Sequence, residues 1–368
     1  MKVPIFKLDF EDSFVEAYQK GVKDIFSSDS ISEGNYVNKF ETAFSKLVNS
    51  KHSIAVTSGT SALETALRAV DVSGKKVIVP SNTFFATTVA ITNSLGLIEF
   101  VDIESETLSI CPDDLHSKIN KNTGAVVLVH IGGIISKEID KIISICNEYN
   151  VPLIEDAAHA HGSFVGDKYA GTIGAIGCFS FFPTKVMTTG EGGMITTNDD
   201  VLSDLCMSLK NFGRDNKNIN NCINLSGSNY KINEFTGLMG YLETLRVKDR
   251  VAKRNTLIQR YKANLRDTNY ELVEQKEGYC SYYKCILKIP SGREKLRVFC
   301  KDKGVSLTGE VYNLPVHKQP IYRKDHGDLF LETTEHFCQN HICPPLYPEL
   351  SLEEIDYVCD VLKEAEKI

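Results

Sequence analysis

Three stretches of this sequence, "KVIVP" (76–80), "GAVVLVHI" (124–131) and "VPLIEDA" (151–157), are nearly continuous apolar runs. Side chains alternate between the two faces of a strand, so an unbroken apolar run demands cover on both faces. "SIAVTS" (53–58), "IEFVDI" (98–103) and "IGCFSFF" (176–182) extend the series, with helical patterns such as "SALETALRAV" (61–70) and "EIDKIISICNEYN" (138–150) between them. This alternation predicts an α/β fold: a mostly parallel central sheet with helices on both faces. Near residue 240 the pattern changes to a long charged helix, "LETLRVKDRVAKRNTLIQRYKANL", then short strands and a closing helix from Leu352. The expected division is an N-terminal arm with a large domain over residues 1–240, and a smaller α+β domain over residues 241–368.

Composition narrows the function. The 41 basic and 48 acidic residues give a net charge of −7 without a long single-sign run, so nothing points to nucleic acid or a membrane surface. Residues 77–98 are uncharged, but Pro80, Asn82 and Asn93 interrupt them and favour a buried strand-loop-helix unit over a membrane span. The start, "MKVPIFKLDFEDSF", has acidic residues where an export signal needs an apolar stretch, so a cytoplasmic location is expected. Eleven cysteines without a CxxC pair read as reduced thiols. "EHFCQNHIC" gathers His336, Cys338, His341 and Cys343, but zinc sites prefer two short ligand pairs separated by a longer loop. A strand entering "PPLYP" is the expectation there, and no metal.

In parallel sheets, ligands sit beyond the carboxyl ends of strands, which draws attention to the segments after Ser58, Asp156 and Phe182. In "TSGTSALETAL" (57–67) Gly59 allows a tight turn, and Ser61 with Glu64 fits a capping box. Such a helix start offers N–H groups and a positive dipole end, so Gly59, Thr60 and Ser61 are candidates for a phosphate. In "LIEDAAHAHG" (153–162) Asp156 follows a buried strand and wants a cationic partner. In "SFFPTKVMTTGEGGM" (180–194) Lys185 stands among uncharged residues, with glycines 190, 192 and 193 letting the chain fold back beside it. Desolvation of such a lysine lowers its pKa and makes it a nucleophile toward carbonyls. Pyridoxal 5'-phosphate uses all three features at once: a phosphate on a helix start, an acid on the pyridine nitrogen and an imine to lysine. Phe84, at another strand end, is a candidate to stack on its ring, or else a core aromatic.

"TSGTSALETAL", "VIVPSNTFFAT", "EDAAHAHG", "SFFPTKVMTTGEGGMI" and "GSNYKINEFTGLMG" resemble, in order, the signature segments of the DegT/DnrJ/StrS sugar aminotransferase family. Similarity continues through "GEVYNLPVHKQPIY" and "CPPLYPELSLEEID". The resemblance implies the aspartate aminotransferase fold (fold type I) and a homodimer with sites at the interface. It implies Lys185 as the Schiff-base lysine and Asp156 as the partner of the pyridine nitrogen. It further implies His159 at the phenolic oxygen, Phe84 against the ring, and Gly59, Thr60 and Ser180 at the phosphate. Asn229 resembles the asparagine that reaches the cofactor phosphate of the neighbouring subunit. Sugar dehydratases of this fold carry histidine in place of the lysine, so Lys185 implies transamination. Glutamate is the implied donor, and a nucleotide-linked keto-sugar, a 4-keto-6-deoxyhexose or a 3-keto relative, the acceptor. Its diphosphate would meet "KNFGRDNK" (210–217) or the segment around Lys231. A keto-inositol acceptor and a non-catalytic binding protein are the alternatives. One departure, "IGGIISKEID" (131–140), is more apolar than the family's usual sequence.

Overall fold

The computed structural model describes residues 1–214 and 222–367. Two helices, α1 (Asp12–Phe26) and α2 (Asn35–Val48), precede the sheet. Then follow β1 (His52–Val56), α3 (Gly59–Ala69), β2 (Lys76–Pro80), α4 (Phe85–Asn93), β3 (Leu97–Val101), α5 (Pro112–Lys118), β4 (Thr123–Val129), α6 (Ile139–Glu148) and β5 (Leu153–Asp156). A short hairpin, β6 (Phe164–Val165) and β7 (Lys168–Tyr169), leads to β8 (Ile176–Ser180), β9 (Gly193–Thr197) and α7 (Asp200–Lys210). The seven-stranded sheet has the order β1-β9-β8-β5-β4-β2-β3. Only β9 runs against the others, since it pairs antiparallel with both β1 and β8.

Alternate residues of the central strands enter two separate apolar cores. Val77, Val79, Ala125 and Val127 join one cluster, and Ile78, Val126 and Leu128 the other. All seven residues of β4 are buried, which is why that segment contains no polar alternation. Each buried valine or isoleucine side chain contributes about 1.5–3 kcal/mol, so both faces of the sheet stay closed to water.

The remainder comprises α8 (Glu234–Asn264), β10 (Glu271–Leu272), β11 (Leu287–Lys288), α9 (Arg293–Asp302), α10 (Arg323–His326), α11 (Glu332–Gln339), β12 (His341–Ile342) and α12 (Leu352–Ala365). Strands β10, β11 and β12 form a small antiparallel sheet. The residue 240/241 division falls inside α8, a 31-residue helix. The Glu234 carboxylate at its start accepts backbone N–H groups of Gly34, Tyr36 and Val37, so one helix end caps another. Further along, Arg254 donates to the carbonyls of Tyr282 and Leu346 at 3.1 Å each and of Tyr283 at 3.4 Å. That buried guanidinium ties the segment carrying Tyr283 to α8. The expected strand entering "PPLYP" is β12, with His336 and Cys338 on the preceding α11.

Candidate active site

The carboxyl ends of β1, β5 and β8 open toward one region because these strands run parallel within one sheet. Helix α3 starts at Gly59, where a Cβ would come 2.7 Å from the Ser180 Cβ. Only glycine lets the helix start approach the end of β8 so closely. The capping box here is Ser58 with Ser61, not Ser61 with Glu64: Ser58 Oγ accepts from the Ser61 N–H at 3.0 Å, and Ser61 Oγ from the Ser58 N–H at 2.9 Å. Glu64 instead accepts from Asn93 and Tyr230. The Ser61 N–H is thereby occupied, which removes it from the expected phosphate donors. Gly59 and Thr60 keep first-turn N–H groups without intrahelical acceptors.

Asp156 closes β5, is buried, and is bonded by neutral donors: Thr87 Oγ1 at 2.8 Å and the Ala158 N–H at 3.2 Å. Burial raises its pKa, against the opposing effects of the Thr87 bond and the Lys185 charge. A carboxylate so placed gains from a cationic partner. Thr87 lies on α4, whose N-cap is Phe84, so Asp156 and Phe84 belong to one structural unit. The Phe84 ring is 44% exposed beside Phe85 and Tyr312, at centroid separations of 4.0 and 5.8 Å. It is therefore available to a ligand and is not a core aromatic.

His159, Tyr283 and Lys185 form the third group. The His159 ring stacks on Tyr283 at 4.2 Å, and Lys185 Nζ lies 4.8 Å from the centroid of the same tyrosine. Burial, then the Lys185 and Lys284 charges, push the His159 pKa well below its ordinary value, so the ring is neutral. Its Nδ1 accepts the Gly132 N–H at 3.3 Å, which leaves the proton on Nε2 as a donor. Desolvation also lowers the Lys185 pKa, giving a larger share of free amine than an exposed lysine has. Tyr283 bonds Thr184 at 3.0 Å; desolvation raises its pKa, but Lys185 and Lys284 outweigh that and pull it down. No pattern around "SYYKC" announced Tyr283.

Other sequence candidates fall elsewhere. Asn229 is exposed, pairs with Asn211 and accepts from Lys231 Nζ at 2.7 Å. In the basic segment 210–217, residues 215–217 lie outside the described residues, while Lys210 is buried against Glu33 at 2.8 Å. His161 packs among Phe44, Phe179 and Phe181. His341 donates from Nδ1 to the Phe337 carbonyl at 2.7 Å and accepts the Val311 N–H at Nε2. Both are structural histidines held neutral by burial, with pKa values lowered to about 3 for His161 and about 4 for His341. The unfolded chain protonates each below about pH 6.5, and the folded chain does not until far lower. Stability is therefore full above about pH 7 and falls as acid is added between about 6.5 and 4, by up to about 1.4 kcal/mol per pH unit for each histidine. Denaturation midpoints at about pH 7.5 and 5 measure this; identical midpoints would contradict it.

Comparisons with known proteins show the family. The family model of the DegT/DnrJ/EryC1/StrS aminotransferases matches residues 13–363. GDP-perosamine synthase of Escherichia coli O157:H7 is 32% identical over 336 residues, 90% of this chain and 91% of that protein. The Vibrio cholerae GDP-perosamine synthase is 30% identical, over 96% of this chain and 97% of its own. NtdA of Bacillus subtilis, solved with bound PMP, superposes with a TM-score of 0.92 at 28% identity, covering all of this chain and 86% of that one. Pyridoxal 5'-phosphate requires N–H donors for its phosphate, a carboxylate for a protonated ring nitrogen, and an amine for its aldehyde carbon. The helix start at Gly59 and Thr60, the neutrally bonded Asp156 and the desolvated Lys185 fit those three requirements. The chain belongs to the DegT/DnrJ/EryC1/StrS aminotransferase family, whose members depend on pyridoxal 5'-phosphate.

Proposed function

We propose that this aminotransferase moves the amino group of glutamate to a nucleotide-linked keto-sugar, a 4-keto-6-deoxyhexose or a 3-keto relative. The product would be an amino-sugar nucleotide for surface polysaccharide or glycoside synthesis. The observation that carries this reading is the grouping of desolvated Lys185, neutral His159 and buried Asp156 at the carboxyl ends of one sheet. The GDP-perosamine synthase relatives support a sugar nucleotide as acceptor. We assign the protein to the cytoplasm as a homodimer; none of its helices is long and apolar enough to cross a membrane among the described residues.

Bound pyridoxal phosphate supplies an electron sink that acidifies the α-carbon of the donor. The chain's own residues do the rest. Gly59 and Thr60 N–H groups and the Ser180 hydroxyl would hold the phosphate, with Asn229 offered to the partner subunit's cofactor. Asp156 would hold a proton on the ring nitrogen, and His159 Nε2–H would donate to the phenolic oxygen. Phe84 would cover one face of the ring. Lys185 would hold the cofactor through Nζ, and as a free amine it would be the base that carries the donor's α-proton. Desolvation lowers its pKa, so it holds a larger share of free base than an exposed lysine does.

The test has two stages. Protein loaded with pyridoxal phosphate is expected to convert about one equivalent of glutamate to 2-oxoglutarate without an acceptor, because the two half-reactions alternate. Multiple turnovers are expected when a GDP- or UDP-linked 4-keto-6-deoxyhexose is added, with ping-pong kinetics. No 2-oxoglutarate in the first stage would sink the glutamate reading. Turnover only with keto-inositols would move the acceptor to the cyclitol class.

A further inference from the structure

Lys284 is a second lysine at the site, and nothing in the sequence marked it. Its Nζ lies 5.1 Å from the centroid of Tyr283, the ring that Lys185 Nζ approaches at 4.8 Å. The two nitrogens are therefore within about 10 Å of each other. The Lys284 charge lowers the pKa values of His159 and Lys185, which places its field across the reacting region.

The neighbouring cations are already engaged. Arg254 is committed to three backbone carbonyls, and Arg250 to Glu243 at 3.2 Å and the Asp9 carbonyl at 2.8 Å. Lys231 is held by Asn211 and Asn229. Glu310, which follows the glycine nearest Lys284 Nζ, turns its carboxylate to Arg297 Nε at 3.4 Å. Lys284 Nζ has neither an anion nor a hydrogen-bond acceptor among the described residues. Beyond the Tyr283 ring, this half-buried ammonium has no counter-charge until a ligand brings an anion to it.

We propose that Lys284 binds a carboxylate of the amino donor. This rests on the reading of glutamate as donor. The donor's α-carbon must come about 3 Å from Lys185 Nζ for the proton to move. From there a five-carbon dicarboxylate can set a carboxylate beside Lys284. A nucleotide diphosphate is the other anion that reaches the site, and the test separates the two.

The probe is glutarate, which carries both carboxylates of glutamate but no amine and cannot react. Calorimetry on the protein loaded with pyridoxal phosphate is expected to show glutarate binding about 10- to 100-fold weaker in Lys284→Met than in the wild type. GDP and UDP affinities should stay the same in that variant, which also shows that it is folded. Lys284→Arg keeps the charge and should retain most of the glutarate affinity. Unchanged glutarate binding in Lys284→Met, or none in the wild type, overturns the proposal. So does a loss confined to GDP or UDP, which would assign the ammonium to the diphosphate. The failures are distinguishable: glutarate binding through Lys284 without conversion of glutamate would remove glutamate as donor and leave Lys284 as a carboxylate receptor.

Discussion

Lys185→Ala is expected to lower the rate of glutamate conversion by about 10⁴-fold, the upper range for loss of a positioned proton-transfer group, and to leave the fold intact. Two properties of Lys185 lead to this. Its ammonium form is disfavoured by desolvation, so the residue is a ready base. Its Nζ lies over the Tyr283 ring at 4.8 Å and makes no side-chain hydrogen bond or ion pair among the described residues, so its loss strands no buried partner. The substitution therefore removes chemistry without opening the core. The second lysine at the site, Lys284, whose Nζ lies 5.1 Å from the same ring, is the one proposed above to hold a donor carboxylate, and it is not expected to take over as the base. Two readouts check the expectation. Single-turnover assays should show 2-oxoglutarate formation lost, and thermal melting of the cofactor-free protein should be nearly unchanged. Added methylamine, a small base able to occupy the space left by the side chain, should restore part of the rate. A variant that keeps more than about a tenth of wild-type activity would remove Lys185 from the mechanism.

The parts of this site that were legible in the sequence are those that lie next to their own secondary-structure signal. Asp156 ends an apolar strand, Gly59 lies between a strand and a helix, and Lys185 follows β8 by five residues, so local pattern alone placed them. Tyr283 and Lys284 were not legible, because they reach the site through packing of the small sheet and α8. The bond between Thr184 and Tyr283 joins residues 99 positions apart. The capping box shows a subtler failure. Ser61 with Glu64 has the right spacing, yet the helix begins earlier, so Ser58 is the cap and Ser61 its reciprocal partner. Spacing identifies possible partners, and the point where backbone dihedrals become helical selects among them. Strand β9 was missed for a related reason: its five buried residues, "GMITT", follow a glycine-rich turn and carry threonines, which reads as loop. Both threonines are satisfied inside the fold, Thr196 by the Gly171 carbonyl and Thr197 by that of Ala175 at 2.8 Å.

Asp156→Asn should separate stability from catalysis in opposite directions. In the cofactor-free protein, burial raises the Asp156 pKa above that of the unfolded chain. Its ionised form therefore opposes folding once the pH exceeds the unfolded value of about 3.9, and the penalty is fully present above the folded pKa. Asparagine has the same shape without the charge. Its Oδ1 can still accept from the Ala158 N–H, and the Thr87 hydroxyl, already shared with Thr83 at 2.8 Å, can rotate to accept from Nδ2. The cofactor-free variant is thus expected to melt at the same temperature as the wild type or above it near pH 7.5. Activity should fall, because a neutral amide cannot hold a proton on the ring nitrogen, and the loss of that preorganised charge costs about 10²- to 10³-fold in kcat. Asp156→Glu would restore the charge but must push an extra methylene among Thr87, Thr83 and the end of β5, all buried. It should recover less activity than charge alone would predict. Melting curves of the cofactor-free proteins and kcat values on one substrate pair decide the matter. An asparagine variant that melts lower and turns over normally would make Asp156 a structural residue, since only its role toward a cationic ligand explains a buried carboxylate whose donors are all neutral.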